Sequence, residues 1–189
     1  ISDKTVVHKY ARSPLSLPLL IGFSQTIVGI VVLSFTNIPS EATIYTSGFA
    51  MLSGVLLGLS GFLLLRVIFT QEVSRALPVT QSAPIFAALL AWIFLNESGT
   101  SLQWLGIIAI VIGSTILSLR TRNGTSSIGL HKSFWVLILS AFFLGASTTI
   151  GKAALDGLPV WYTHGTRSLA LGILFILLSL RSTSFADVK

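Results

Sequence analysis

Five stretches of this 189-residue chain, 15–36, 47–65, 76–95, 102–119 and 134–151, contain no Asp, Glu, Lys or Arg. Each runs 18 to 22 residues. A bilayer core of about 30 Å is crossed by roughly 20 helical residues rising about 1.5 Å each. In hydrocarbon an unpaired amide has no water to turn to, so runs of this kind must be helices. With a sixth apolar stretch, the expected spans are 15–36, 47–68, 74–95, 102–119, 134–153 and 159–180. The expected fold class is all-α, a polytopic integral membrane helical bundle. Composition agrees. Only 10% of residues are charged and 52% are hydrophobic, whereas a soluble domain carries about 25% charged residues.

The charges that exist are informative. The net charge of +6 comes from 12 Lys and Arg scattered between apolar runs, with no basic stripe, so nucleic acid is not an expected partner. The absence of cysteine removes disulfides, thiolate metal sites and a Cys nucleophile. No HExxH, Walker loop or paired intramembrane carboxylate occurs, so no metal, cofactor or ATP-driven chemistry is expected. The expected partners are the lipid bilayer, a small-molecule substrate and a coupling proton. The expected location is the bacterial inner membrane.

Orientation follows the distribution of Lys and Arg. Lys4, Lys9, Arg12, Arg66, Arg75, Arg120, Arg122, Lys132, Arg181 and Lys189 fall on the side that holds the start of the chain, and Lys152 alone falls in loops of the other side. The first side is therefore expected to be cytoplasmic. Residues 1–14 lack the layout of a signal peptide. The chain starts with Ile1 and reads as a piece of a longer polypeptide.

An internal echo organises these spans. Shifting the chain by 143 residues aligns Lys9 with Lys152, Ala11 with Ala154, Leu15 with Leu158, Gly22 with Gly165 and Gly29 with Gly172. Five crossings separate 15–36 from 159–180, so the two copies must traverse the membrane in opposite directions. That is an inverted repeat, an architecture common among secondary transporters, with the substrate site between the halves.

Within 74–119, a mid-span Pro84 is followed by Leu95-Asn96-Glu97 at the helix exit, then Gln103-Trp104-Leu105-Gly106 and Gly113. This pattern resembles the end of an EamA repeat of the drug/metabolite transporter superfamily, and 134–180 resembles the opening of a second. The resemblance implies a ten-helix transporter of two inverted five-helix repeats, working by alternating access on small metabolites or drugs, with coupling to protons or exchange. It divides the chain into a first repeat, 1–119, a linker, 120–133, and a truncated second repeat, 134–189. The family's usual orientation, with both termini cytoplasmic, would place the start of the chain outside; the Lys and Arg count opposes it and is followed here.

Several residues are candidates for the substrate path. Arg167 is the one charge near the middle of a span. It either anchors an anionic group through its planar donor fork or reaches back to the headgroups. His164, three residues earlier, either takes a proton or sits in an interfacial belt with Trp161 and Tyr162. Lys152 and its repeat mate Lys9 either face the cavity or stabilise helix C-termini, with Asp156 a local partner for Lys152. Gln25, Gln81, Ser82 and Thr148 are polar candidates. Pro78 and Pro84 are expected to kink one span, since each removes an amide donor. Glu97 is expected at the water interface, Glu72 and Arg75 as a surface pair. Gly54 and Gly58, Gly106 and Gly113, and Gly165 and Gly172 are expected to pack helices. Two rival readings belong to other classes: an intramembrane serine protease built on Gly58-Leu59-Ser60-Gly61 with His164, and a passive channel or lipid-scrambling module. The protease needs a base beside Ser60.

Overall fold

The computed structural model describes residues 16–40, 42–70, 79–120 and 128–181. The described secondary structure is helical throughout: α1 (Ser16–Phe35), α2 (Ile44–Thr70), α3 (Ala83–Leu95), α4 (Ser101–Arg120), α5 (Ile128–Leu155) and α6 (Val160–Arg181). Within these, Leu17–Phe35, Ile44–Phe69, Ser133–Leu155 and Val160–Leu180 are long and apolar enough to cross a membrane. The protein is thus an integral membrane protein of helical architecture.

The span expected over 74–95 is interrupted. Gln81 and Ser82 form a turn, and α3 begins immediately after, with Pro84 in its first turn. Proline is well placed there, because the amide it lacks would have no intrahelical acceptor. Ser82 supports the turn by returning its amide (3.2 Å) and its hydroxyl (2.7 Å) to the carbonyl of Val79. Pro84 therefore starts a helix and does not kink one from within. Pro78 and the Glu72–Arg75 pair lie outside the described residues. α5 starts at Ile128, so helix occupies the C-terminal part of the segment expected to be a linker.

The packing is inside-out relative to a soluble protein. Large side chains such as Leu20, Phe35, Trp92, Phe94 and Leu180 point outward, while many buried positions are small, among them Ala50, Ser53, Ser60, Ser140, Ala141, Ala146, Ser147, Ala154 and Ala170, beside the larger Val67, Leu137, Leu158, Leu171 and Phe175. Lipid solvates a Leu as well as another helix does, so helices associate where small residues let backbones approach and hydroxyls bond across.

Four interfaces assemble the bundle. α1 and α6 run antiparallel: Gly22 lies against Gly172 and Ile176, Gly29 against Gly165 and Leu169. α2 and α6 run parallel, with Gly54 against Arg167 and Ala170, Gly58 against Leu171 and Leu174, and Gly61 against Phe175. α2 and α5 run antiparallel along a seam of serines. Ser60 Oγ donates to the carbonyl of Ser140 (2.8 Å) and Ser140 Oγ donates to that of Ser60 (2.9 Å). Two turns along, Ser147 Oγ donates to the carbonyl of Ser53 (2.7 Å). α3 and α5 run parallel, with Gly145 against Ala83, Phe86 and Ala87, and with Thr149 Oγ1 donating to the carbonyl of Ala87 (3.1 Å). The resulting order of neighbours is α1, α6, α2, α5, α3. α4 packs on none of them extensively; its Leu102, Leu105, Ile108, Ile112 and Ile116 are exposed.

Candidate substrate site

The sole charge of the α6 interior lies where three helices meet. Arg167 follows Val160 by seven residues, about 10 Å of helix. Its side chain crosses to α5, where Nη2 donates to Ser147 Oγ (2.9 Å). Ser147 passes its own proton to the carbonyl of Ser53 on α2 (2.7 Å), and Ser53 Oγ donates to the carbonyl of Ala50 (2.8 Å). Ser53 and Ser147 are completely buried. α5 and α6 touch little elsewhere, so this chain of donors is a main link between them.

Small residues make that geometry possible. A Cβ on Gly54 would collide with the carbonyl of Arg167, so only glycine lets α2 approach α6 there. Across the site, a Cβ on Gly151 would come within 3.4 Å of Arg167 Nη1. A larger residue at 151 would take the space around the guanidinium.

The site is not fully satisfied. Arg167 Nε is sealed from solvent without a hydrogen-bond partner, and so is Thr163 Oγ1, one turn earlier on α6. Among the described residues the acidic groups are Glu97 and Asp156. Glu97 is engaged elsewhere, in an ion pair with Lys152, and Asp156 is exposed in the α5–α6 turn. Arg167 therefore has no carboxylate partner among the described residues.

The other candidates are distributed more widely. Lys152 pairs with Glu97 across the α3–α5 interface (2.5 Å), and the expected local pair with Asp156 is not formed. Glu97 reaches Lys152 because Asn96 takes a left-handed conformation (φ 54°), turning the chain so that the Glu97 amide bonds back to the carbonyl of Ala91 (3.3 Å). A left-handed residue just past the last helical one is a common way for a helix to stop, and it accounts for the Leu-Asn-Glu sequence at the exit of α3. His164 is exposed and is not joined to Arg167; Thr163, four residues before Arg167, is the buried neighbour on its helix. Gln25 is half-buried on α1 and Gln81 is exposed in the turn before α3. Thr148 is exposed and bonds back to the carbonyl of Gly145 (2.7 Å), whereas Thr149 makes the contact to α3. Gly54, Gly58, Gly165 and Gly172 pack against neighbouring helices, but Gly106 and Gly113 have nothing near them, because α4 stands apart. Lys9 lies outside the described residues.

Ser53, Ser140, Ser147, Thr163 and Gly151 were not among the sequence candidates. A signal for the serines exists: Ser53 and Ser60, and Ser140 and Ser147, are each seven residues apart, which puts each pair on one helix face. Ser60 is committed to Ser140, and its glycine neighbours on α2 lie beside Leu171 to Phe175, two to three turns of α6 away from His164. The pairing of Ser60 and His164 that a protease requires is not assembled.

With the geometry established, comparison places the chain among known proteins. The sequence pattern of the EamA-like transporter family matches residues 4–119. A protein of Latilactobacillus sakei subsp. sakei (strain 23K) named "Putative ribose uptake protein RbsU" is 27% identical over 177 residues, covering 90% of this chain and 60% of that protein. The uncharacterized protein MJ1333.1 of Methanocaldococcus jannaschii is 31% identical over 91 residues, 48% of this chain and 65% of its own length. The chain thus spans less than two thirds of either relative. No solved structure matches.

Proposed function

The chain belongs to the EamA-like transporter family, and from that premise we propose that it forms part of a carrier that moves small polar metabolites across the membrane by alternating access between two inverted repeats. One observation carries the mechanism. α1 and α6, the two segments that echo each other in sequence, lie face to face and antiparallel through the aligned glycines. Exchanging each helix for its echo turns the Gly22–Gly172 contact into the Gly165–Gly29 contact. A duplicated unit inserted in both orientations produces such an exchangeable interface, and in transporters of that design the substrate lies near the midplane where the halves meet. Arg167 and Ser147 sit beside this axis in the adjoining α5–α6–α2 junction.

The relative named for ribose uptake points to solutes of sugar size, rich in oxygen. Coupling to protons or to exchange follows from the family resemblance. The side carrying Arg66, Arg120 and Arg181 is placed in the cytoplasm by the Lys and Arg count. Counterflow in vesicles containing the protein tests the proposal, with labelled ribose among the solutes outside. Unlabelled substrate trapped inside should accelerate entry of the labelled solute several-fold. Entry that depends only on the concentration gradient would identify a pore and overturn the carrier.

A further inference from the structure

Arg167 raises a question that the family does not answer: what neutralises a guanidinium held inside the bundle? A cation inside a membrane span is costly unless something compensates its charge. Three arrangements meet that cost: reaching the headgroups, pairing with an acid, or facing a polar ligand. Reaching the headgroups is ruled out by direction, because the side chain bonds to Ser147, eight residues inside the C-terminal end of α5. Pairing fails because no described acid is near. The hydroxyl of Ser147 meets one nitrogen only, and its proton is already given to Ser53.

What remains is a pair of unmet donors on one helix, Arg167 Nε and Thr163 Oγ1, both buried and four residues apart. Residues at that spacing are neighbours on a helix surface. A buried donor left unmet is costly, and an oxygen-bearing anion accepting from both would relieve it. We infer that Arg167 and Thr163 form the binding site for a carboxylate group of the transported solute, with Ser147 as the positioning residue that holds the guanidinium. This deepens the carrier reading and rests on it for the identity of the ligand as cargo.

The walls of the site suit such a role. α2 closes over it through Ser53 and Gly54, and α5 through Ser147 and Gly151. At the site itself α2 meets its neighbours through small residues; the larger contacts, Phe62 on Phe175 and Val67 on Leu137, lie farther along the helix. The Glu97–Lys152 pair lies farther toward the same end of the bundle and ties α3 to α5 above the site. In the described arrangement Arg167 Nε and Thr163 Oγ1 are shut off from solvent.

Thermal unfolding of the purified protein in chloride-free detergent solution tests the site without requiring transport. Acetate, lactate and ribonate are compared with neutral ribose at matched ionic strength. At least one carboxylate should raise the midpoint by several degrees, ribose should not, and Arg167→Gln and Thr163→Val should each abolish the shift. Thr163→Val keeps the side-chain shape and serves if Arg167→Gln does not fold. Ser147→Ala should weaken carboxylate binding several-fold without eliminating it. Equal shifts from ribose and ribonate, no shift from any carboxylate, or a shift that survives both substitutions would overturn the inference. Counterflow without a carboxylate shift removes the site and leaves the carrier; a carboxylate shift without counterflow does the reverse.

Discussion

A single left-handed residue shows how much of this molecule is decided by short-range chemistry. Asn96 is the one described non-glycine residue with positive φ. Its conformation ends α3 and aims Glu97 at Lys152. Asparagine tolerates this region, glycine adopts it freely, and a β-branched residue pays about 1–2 kcal/mol. Asn96→Gly should leave the unfolding midpoint within about a degree. Asn96→Val should lower the stability by about 1–2 kcal/mol and loosen the loop that carries Glu97. A thermal melt of the two variants side by side is sufficient, and a Val variant as stable as the parent would refute the assignment. Arg167 was identifiable from sequence because any charge in such a span is conspicuous. Its partner was not, since Ser147 is one of many serines and only the crossing of α5 with α6 selects it.

At the scale of elements, the seams use two chemistries. Glycine brings α1 to α6 and α2 to α6, and serine hydroxyls join α2 to α5. The Glu97–Lys152 contact between α3 and α5 is of a third kind, exposed at both ends (side chains 52% and 46% accessible). An ion pair this wet contributes about 0–1 kcal/mol. Glu97→Gln should accordingly change stability little. Locking the same two positions should matter far more. Because the chain contains no cysteine, Glu97→Cys and Lys152→Cys can be introduced together and bridged with a bifunctional thiol reagent. Bridging should stop counterflow and reduction should restore it; unaffected counterflow would show that α3 and α5 move as one body.

For the whole molecule, direction of travel is the decisive property. α1 and α6 are antiparallel, α2 and α6 parallel, and the turns at 96–100 and 156–159 lie at one end, where Glu97 meets Lys152. Single cysteines at Ser98 and Asp156 should therefore react with a membrane-impermeant thiol reagent from one face, and one at Arg120 from the opposite face. The proposed orientation, with the Lys-rich side cytoplasmic, predicts that Ser98→Cys and Asp156→Cys are the pair labelled in intact cells. Labelling of all three from one face would contradict the threading. Large exposed residues on α4 and α3, such as Leu105, Ile112, Trp92 and Phe94, face outward in a protein whose solvent is lipid, and their exposure needs no separate cause.

Membrane residence and four of the six expected spans were legible in the residues alone, because a run of about 20 uncharged apolar residues leaves the backbone no alternative in hydrocarbon. The echo between Gly22/Gly29 and Gly165/Gly172 was legible too, as was the stop after Leu95. The break before α3 was misread as a kink, since Pro84 reads the same in sequence whether it interrupts a helix or begins one. The partners of Arg167, Glu97 and Ser60 emerged only in three dimensions. Between membrane helices there is no hydrophobic pattern to announce which faces meet; contact is chosen by small residues and hydroxyls, and these recur throughout the chain. Which of them touch depends on crossing and register, and those belong to the assembled bundle.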